Sequence, residues 1–445
     1  MTVPPGVSVA FGNTPFDEDP TWTRLDTHAG IHIDSIQIKR GRADEWTKAA
    51  IGTCTLTGYD TTGVLDPTNT GGAFYGDLDP LTPAAVSLWN PVTNAWSYLF
   101  NGYTADLALT LDVSEKKLDV QWDWVDMLDL LTDAEVIPDS SGNTAPAEST
   151  GDTYYTGQHV DDRILAVLAD SSTALLGKTF PAGKISVFSG NVNVQGSVYS
   201  NKTAMIDVID EATDAEFPSV ATRFITKSGV FQFLGRYAYF DPSGYGSYIT
   251  HWKAGDIAAA TADDTNAVIN GLQFARGKTN LVNCVLCTPY GIAASDISSQ
   301  FVSDSTSVDR YGPRVSGMSL ENLRTGDSND DGNNALAETY LYGIYIVDNY
   351  KVPQNRVSQL VFRNPPAGAS SARASAQWNL LCGLELQDYI TLTTSHPGGG
   401  GFAGVDFFVA SITYDLKPLR GDQWDVTLTV DTIPRAFFSS DPFVS

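Results

Sequence analysis

The stretch from Ile31 to Asn69, IHIDSIQIKRGRADEWTKAAIGTCTLTGYDTTGVLDPTN, decides the fold of this chain. Apolar and polar residues alternate on both sides of a basic interruption at residues 39–42, KRGR. This alternation is the spacing of a half-buried β-strand, and its apolar members are Ile36, Ile38, Cys54 and Leu56. The pattern predicts a strand, a short basic turn, a second strand and an Asp-Pro exit.

Short strands continue to about residue 113 and beyond. A hairpin loop at residues 90–94, NPVTN, separates two apolar runs, and Trp96, Tyr98 and Phe100 are predicted to return on one face. Two further runs alternate cleanly: Leu107, Leu109, Leu111 and Val113, then Leu118, Val120, Trp122 and Trp124. The second run leads into a predicted helix at residues 125–135. A small barrel closed by this helix would bury all of these faces.

The rest of the chain divides by composition. Residues 138–158, PDSSGNTAPAESTGDTYYTGQ, have the composition of a linker. Predicted helices at about 156–168 and 202–215 and a hairpin at 220–234 form a compact α+β unit. We therefore predict a mainly β chain with an α+β middle region, in which two small β-barrel domains flank a mixed middle domain. The predicted divisions are an N-terminal arm at 1–30, a first barrel at 31–137, a linker at 138–158, a middle region at 159–350, and a second barrel with a C-terminal tail at 351–445.

The order of these motifs resembles that of the tail hub (minor tail) proteins of long-tailed bacteriophages. The resemblance covers residues 31–130, 203–240 and 307–434, including SVDRYGPR at 307–314 and the closing strands FFVASITYDL and DQWDVTLTVD. The Gly-Asp pair usual in the family is here Gln387-Asp388. No single motif is specific, so the resemblance rests on their order along the chain.

The resemblance implies a structural virion protein at the distal end of a phage tail. Two related, tail-tube-like barrels per chain, at 31–133 and 351–440, would place six barrels in a ring of three chains. Such a homotrimer would connect a sixfold tail tube to a threefold tail tip and line the DNA channel. The implied partners are the distal tail ring, the tape measure and the tail-tip or fibre proteins.

Composition sets further limits. The 445 residues carry 27 Lys and Arg against 52 Asp and Glu, a net charge of −25, which disfavours sequence-independent nucleic-acid binding. DNA is therefore expected to pass through the lumen without specific binding. No run reaches the roughly 18 apolar residues of a membrane span, and the N-terminus lacks the features of a signal peptide. We expect synthesis and assembly in the host cytoplasm, and a final location in the virion tail.

One segment matches a calcium-loop pattern. Residues 327–338, DSNDDGNNALAE, fit D-x-[DN]-x-[DN]-G-x5-E, with oxygen ligands at Asp327, Asn329, Asp331 and Glu338. The preceding segment is too short for an entering helix, Asn334 stands where an apolar residue is usual, and no partner loop is present. An Asx-rich turn that caps the following helix is the preferred interpretation, so no cofactor is expected and calcium is the alternative.

The chain carries no recognisable catalytic signature, and we predict that it is not an enzyme. Its five histidines are scattered, its lone C-x-x-C at Cys284 and Cys287 lies in a strand-like stretch, and its paired carboxylates are typical of helix N-termini. The runner-up function is a tail-borne or secreted carbohydrate-active protein, either a glycosidase or a glycan-binding module.

The basic residues Lys39, Arg40 and Arg42 form the one basic cluster in this acidic chain. They would be either a solvated turn or an electrostatic contact with carboxylates of a neighbouring subunit. We favour the second interpretation and predict that these three residues lie in a subunit interface.

Overall fold

The computed structural model describes residues 4–44, 46–136, 153–155, 157–169, 178–190, 192–194, 196–199, 203–216, 220–236, 238, 248–278, 280–289, 301–320, 333–353, 355–365, 369–418 and 424–434. The mainly β class predicted from the sequence is confirmed. Within the described residues, fourteen strands share one large sheet, and four small sheets accompany it.

The first β unit supplies one end of the large sheet. Its elements are β1 (Gly6–Val9), β2 (Thr23–Arg24), β3 (Ile31–Gly41), β4 (Ala50–Asp60), β5 (Pro83–Asn90), β6 (Ala95–Asp112), β7 (Lys117–Val125) and helix α1 (Met127–Asp133). The strands are antiparallel in the order β3-β4-β7-β6-β5-β1-β2. The alternation places Ile36, Ile38, Cys54 and Leu56 in the core, as the sequence predicts.

The middle of the chain forms a smaller α+β unit. It comprises β8 (Thr153–Tyr155), β9 (Gln158–His159), α2 (Val160–Leu168), a 3-10 turn (Ala182–Lys184), β10 (Ile185–Val187), β11 (Asn193–Val194), β12 (Ser197–Tyr199), α3 (Met205–Ala215), β13 (Thr222–Ile225) and β14 (Phe231–Leu234). Helices α2 and α3 each bury an apolar stripe, and these stripes share a core with α1 and the β13–β14 hairpin. The predicted helix-then-hairpin order is confirmed.

The second β unit begins well before residue 351. Its elements are β15 (His251–Gly255), α4 (Ile257–Ala262), β16 (Ala267–Val268) and β17 (Gly271–Ala275), followed later by β21 (Arg356–Arg363), α7 (Ser371–Gly383), β22 (Tyr389–Ser395), β23 (Gly401–Pro418) and β24 (Trp424–Pro434). Between them lie β18 (Cys284–Pro289), β19 (Phe301–Ser303), α5 (Ser305–Tyr311), β20 (Val315–Leu320) and α6 (Asn333–Tyr350). Strands β15–β17 thus belong to the sheet of the second unit, because β15 pairs with β22 and β17 with β21.

The two β units repeat one strand pattern. Strands β5, β6, β7, β4 and β3 of the first unit correspond to β22, β23, β24, β21 and β17 of the second. Both β6 and β23 are 18 residues long, pair first with the preceding strand and then with the following one, and carry an extra residue at each of these pairings. Even a local strain repeats: Leu81 and Gln387 both have positive φ, at 63° and 69°, and their N–H groups donate to Thr104 and Val409 respectively.

One strand pair joins the two units into a continuous sheet. Strand β23 pairs with β3 over residues 411–416 and 36–41, in the register Ile412–Arg40, Tyr414–Ile38 and Leu416–Ile36. The sheet therefore runs β17-β21-β24-β23-β3-β4-β7-β6 from one unit into the other.

Several details differ from the sequence predictions. Residues 39–41 are not a turn, because β3 continues through them to pair with β23. The arm at 1–30 is not wholly irregular, since β1 pairs with β5 and buries Val7 and Val9. Among the described strands no sheet closes on itself, so the two predicted barrels are seen as open sheets.

A bulge also redirects a run of aromatic residues. Phe100 is buried, whereas Trp96 and Tyr98 are exposed, although the sequence predicted one common face. Leu99 is an extra residue opposite the Val86–Ser87 step, and it shifts the alternation by one position.

Candidate functional site

A buried cluster of charges lies where the two β units and the middle unit meet. Arg40 of β3 is 3% exposed, and its Nη1 donates to Glu385 Oε1 at 2.8 Å and to the Ile225 carbonyl at 3.2 Å. Glu385 precedes β22 and Ile225 ends β13, so one guanidinium on β3 joins two other parts of the chain. Charge-assisted bonds in such a poorly hydrated place are stronger than those at the surface.

The same carboxylate receives a second donor from the middle unit. Lys227, in the β13–β14 turn, donates its backbone N–H to Glu385 Oε2 at 2.7 Å. Its ammonium group donates to the carbonyls of Cys382 and Gly383 in the last turn of α7, where carbonyls have no donor within the helix. Burial lowers the pKa of Lys227, and nearby Glu385 counteracts this. The turn is thereby fixed onto the second unit.

Asp388 holds the start of β22 against β15. Its Oδ1 accepts from the Thr250 N–H at 2.7 Å, and its Oδ2 accepts from Trp252 Nε1 and the Glu385 N–H at 2.9 Å each. Burial raises the pKa of Asp388 to about 7, against the opposing effect of these hydrogen bonds. This side chain therefore gains or loses a proton near neutral pH.

Asp126 has a similar environment in the first unit. It caps α1 through Leu128 N–H and also accepts from Gly52 N–H at 2.8 Å. Burial raises the pKa of Asp126 to about 7, although these two bonds and the positive charges of Arg40 and Arg223 lower it in part. Two carboxyl groups with raised pKa values thus flank the ion pair of Arg40.

A further contact joins the middle unit to the residue that precedes β4. Arg223 donates to both oxygens of Asp210 at 2.7 and 3.0 Å and to the Ala49 carbonyl at 2.6 Å. Taken together, these bonds fix the relative positions of the three units, which is a structural task.

The three residues predicted to lie in a subunit interface differ in exposure. Lys39 is exposed, whereas Arg40 and Arg42 are each 3% exposed and lie inside the chain. The carboxylate that faces Arg40 belongs to Glu385 of the same chain. Direct contact of this cluster with a neighbour is therefore limited to Lys39, and its interface role stays a prediction.

An open groove of about 570 Å³ lies between β15 and α7 and is lined by His251, Trp252, Lys253, Asp264, Thr265, Ala372, Ser375, Ala376 and Asn379. At its edge, Thr391 Oγ1 donates to Asp406 and contacts His251 Nε2. The hydroxyl thus stands between the histidine and the carboxylate. A catalytic triad needs the histidine in the middle, so this order does not activate the hydroxyl as a nucleophile.

The predicted calcium loop cannot be placed on the fold. Asp327, Asn329 and Asp331 lie outside the described residues, as does the side chain of Glu338 in α6. Elsewhere in the described part of the chain, no group of three or more His, Cys, Asp or Glu side chains is arranged to hold a metal ion. No described helix is long and apolar enough to cross a membrane.

Two strand edges carry exposed apolar side chains. The outer edge of β6 has no partner strand from residue 105 to 112 within the described chain, and Leu111 and Val113 are 61% and 77% exposed. The outer edge of β17 likewise has no described partner, and Phe274 is 50% exposed. Unpaired edges of this kind readily accept another strand.

The sequence reasoning missed Glu385, Asp388 and Lys227. Their partners are remote along the chain, so spacing gave no signal. One clue was present: Gln387 stands where the resembling family has Gly, and its φ of 69° is one that glycine tolerates best. A constrained backbone beside an aspartate marks a structurally important corner.

The fold is that of phage tail proteins. No protein-family profile matches the chain, and no curated protein matches it. The tail protein from Neisseria meningitidis MC58 matches with a TM-score of 0.53 and 10% identity, over 96% of this chain and 96% of that one. The 43 kDa tail protein of prophage MuSo2 from Shewanella oneidensis matches with a TM-score of 0.53 and 9% identity, over 98% and 100%. A structure of the Francisella PdpA-VgrG complex matches with a TM-score of 0.50 and 9% identity, over 98% of this chain and 53% of that one.

Proposed function

We propose, from the fold that this chain shares with phage tail proteins, that it is a structural tail protein that acts as the tail hub. The observation that carries this proposal is the extent of the likeness, because two tail proteins, one of them from a prophage, match over nearly the whole of both chains. The hub would end the tail tube and begin the tail tip. Its location would be the virion tail, after synthesis and assembly in the host cytoplasm.

The internal repeat supports a particular symmetry. Each chain carries two β units with one strand pattern. Three chains would present six such units in a ring, and the neighbours would complete sheets that are open in one chain. A homotrimer of this kind would match a sixfold tube on one side and a threefold tip on the other.

The charge supports a passive channel. A net charge of −25 repels phosphate, so DNA would pass through the lumen without being held. The partners would be the distal tail ring, the tape measure and the tail-tip or fibre proteins. Lys39, exposed in an acidic chain, would face carboxylates of a neighbour. No cofactor is needed for this role.

The proposed role is not enzymatic. A buried network that fixes three units together suits a protein that must keep its shape under load. The carbohydrate-active alternative has one observation in its favour, the open groove beside Trp252 and His251. Saccharide binding there, lost in Trp252→Ala while the fold is kept, would support a glycan-binding module instead.

The test is assembly. Purified chain should form a particle of three subunits with a central channel, visible by light scattering and negative-stain electron microscopy. Antibody labelling of intact particles should locate the chain at the distal end of the tail. A chain that stays monomeric at high concentration, or labelling of another part of the particle, would contradict the hub assignment.

A further inference from the structure

The two β units are joined within the chain by one strand pair, and the two strands that could form an equivalent second pair have no partner among the described strands. Inside the chain, β23 of the second unit pairs with β3 of the first. The corresponding strands of the opposite units are β6 and β17. Their outer edges have no partner among the described strands, and they lie at opposite ends of the strand path.

The shared bulges align the two units residue by residue. Beyond the extra residue in each long strand, and three residues after Thr104 and Val409 respectively, Leu107 pairs with Trp122 and Ile412 pairs with Val430. Continuing along the strands, Leu109 corresponds to Tyr414 and Leu111 to Leu416. Strands β17 and β3 align in the same way, because Leu272 of β17 pairs with Leu360 as Ile36 of β3 pairs with Leu56. Phe274 then corresponds to Ile38, and Arg276 to Arg40.

Exposure differs sharply between the matched positions. Ile412, Tyr414 and Leu416 are completely buried. Their counterparts Leu107 and Leu109 are only half-buried, and Leu111 is 61% exposed. Strand β17 shows the same difference from β3, since Ile38 of β3 is completely buried and its counterpart Phe274 of β17 is 50% exposed. The open edges therefore have the apolar pattern of a made junction without its partner.

The charges match as well. Because Leu81 and Gln387 are equivalent by their positive φ and their backbone bonds, Asp79 occupies the position of Glu385, two residues earlier. Asp79 and Arg276 are both exposed. They are thus the counterparts of the buried pair Glu385–Arg40, which closes the internal junction.

We propose that β6 of one copy of this chain pairs antiparallel with β17 of the next copy, in the register Leu111–Leu272, Leu109–Phe274 and Leu107–Arg276. Arg276 of one copy then pairs with Asp79 of the other. The occupant of each edge is a second copy, because both halves of the contact, and their ion pair, are present on this chain. The interface is head-to-tail, so repetition closes a ring or extends a polymer.

This inference names the contact for the hub proposed above and rests on it only for ring closure. The first test is a disulfide between Thr110→Cys and Gln273→Cys, which would be directly opposite each other, at a separation that suits a disulfide. Both positions are exposed, and the four native cysteines are buried. Oxidation should give oligomers linked by intermolecular disulfides, and a reductant should break these links. The control is Gln121→Cys with Gln273→Cys, because Gln121 lies on β7, one strand further from the contact.

The second test is a charge exchange. Asp79→Arg and Arg276→Asp should each weaken assembly by roughly ten-fold or more, because like charges would face each other. The double variant should restore assembly, which a general folding defect would not allow. Ile257→Glu, at an aliphatic residue 68% exposed on α4, should assemble normally.

The outcomes separate the two proposals. Assembly without the Thr110–Gln273 link, or a double variant as weak as the single ones, overturns this strand pairing and leaves the hub standing. A chain that is monomeric and cannot be linked overturns both. Linked open polymers support the pairing and contradict the closed ring.

Discussion

Arg40 and Glu385 form an ion pair, 2.8 Å from Nη1 to Oε1, although they belong to opposite β units of the chain. The arginine side chain is 2% exposed and the glutamate 16%. The pair lies beside the β3–β23 register that makes one sheet of two units. It is therefore a sensitive point at which to test how the units hold together.

Arg40→Ala should lower the free energy of unfolding by about 3 kcal/mol, because it leaves Glu385 partly buried without its cation. Denaturant unfolding followed by tryptophan fluorescence measures this change. Lys417→Ala, which removes an exposed partner of Asp415, is the control and should have little effect. Equal stability of the two variants would contradict the importance of the junction.

The raised pKa values of Asp126 and Asp388 predict a specific dependence of stability on pH. Each group has a pKa of about 7 when folded and about 4 when unfolded. Protonation of these two carboxyl groups therefore stabilises the folded state. This stabilisation is fully present below pH 4 and is lost as the pH rises to 7. Above pH 7 it should change no further.

Asp388→Asn tests this pH effect. The variant should lose part of the decline in stability between pH 5 and pH 7, measured as the difference in unfolding free energy at these two values. Asp19→Asn, at an exposed position, should keep the wild-type slope. An unchanged slope in Asp388→Asn would show that this carboxyl does not titrate in that range.

Gly41 should tolerate no side chain. Its φ is 107°, and a Cβ atom there would lie 2.3 Å from the Ala410 carbonyl oxygen. Gly41→Ala should cost roughly 3 kcal/mol through backbone strain and the separation of β3 from β23. Gly76→Ala is a matched control, because φ is 86° and nothing lies within 4 Å of the added atom. It should cost about 1 kcal/mol from strain alone, and a smaller loss for Gly41→Ala than for this control would be contrary to expectation.

The segment with ligands at Asp327, Asn329, Asp331 and Glu338 should bind calcium weakly or not at all. The sequence lacks an entering helix and a partner loop, so the ligands would not be held in place before binding. Isothermal titration of the full chain with calcium checks this. A sub-micromolar site that disappears in Asp327→Ala would establish the loop as a true calcium site.

Local patterns predicted much of this fold. Alternation located β3, β4, β6 and β7, and apolar stripes located α2 and α3, because these signals depend on nearby residues. The basic residues at 39–41 were misread as a turn. They continue β3, which pairs with β4 on one side, while β23 and Glu385, far along the chain, supply the partner on the other side and the counter-charge of Arg40.

The candidate site was harder to predict for the same reason. No sequence pattern near Asp388 indicates that Thr250 and Trp252 donate hydrogen bonds to it. The bulge at Leu99, which places Tyr98 and Phe100 on opposite faces of the sheet, also depends on the partner strand β5. The resemblance implied two related β units, but only strand pairing shows which strands and residues of the two units correspond.

The pairing of β3 with β23 has a consequence for the ribosome. Residues 36–41 are translated long before the residues 411–416 that cover them. A nascent chain therefore lacks the β23 partner of β3 until residues 411–416 have been made, beside other nascent chains on the same messenger. Such an edge invites premature cross-pairing between unfinished chains. Synthesis of β23 is thus the step that covers this edge.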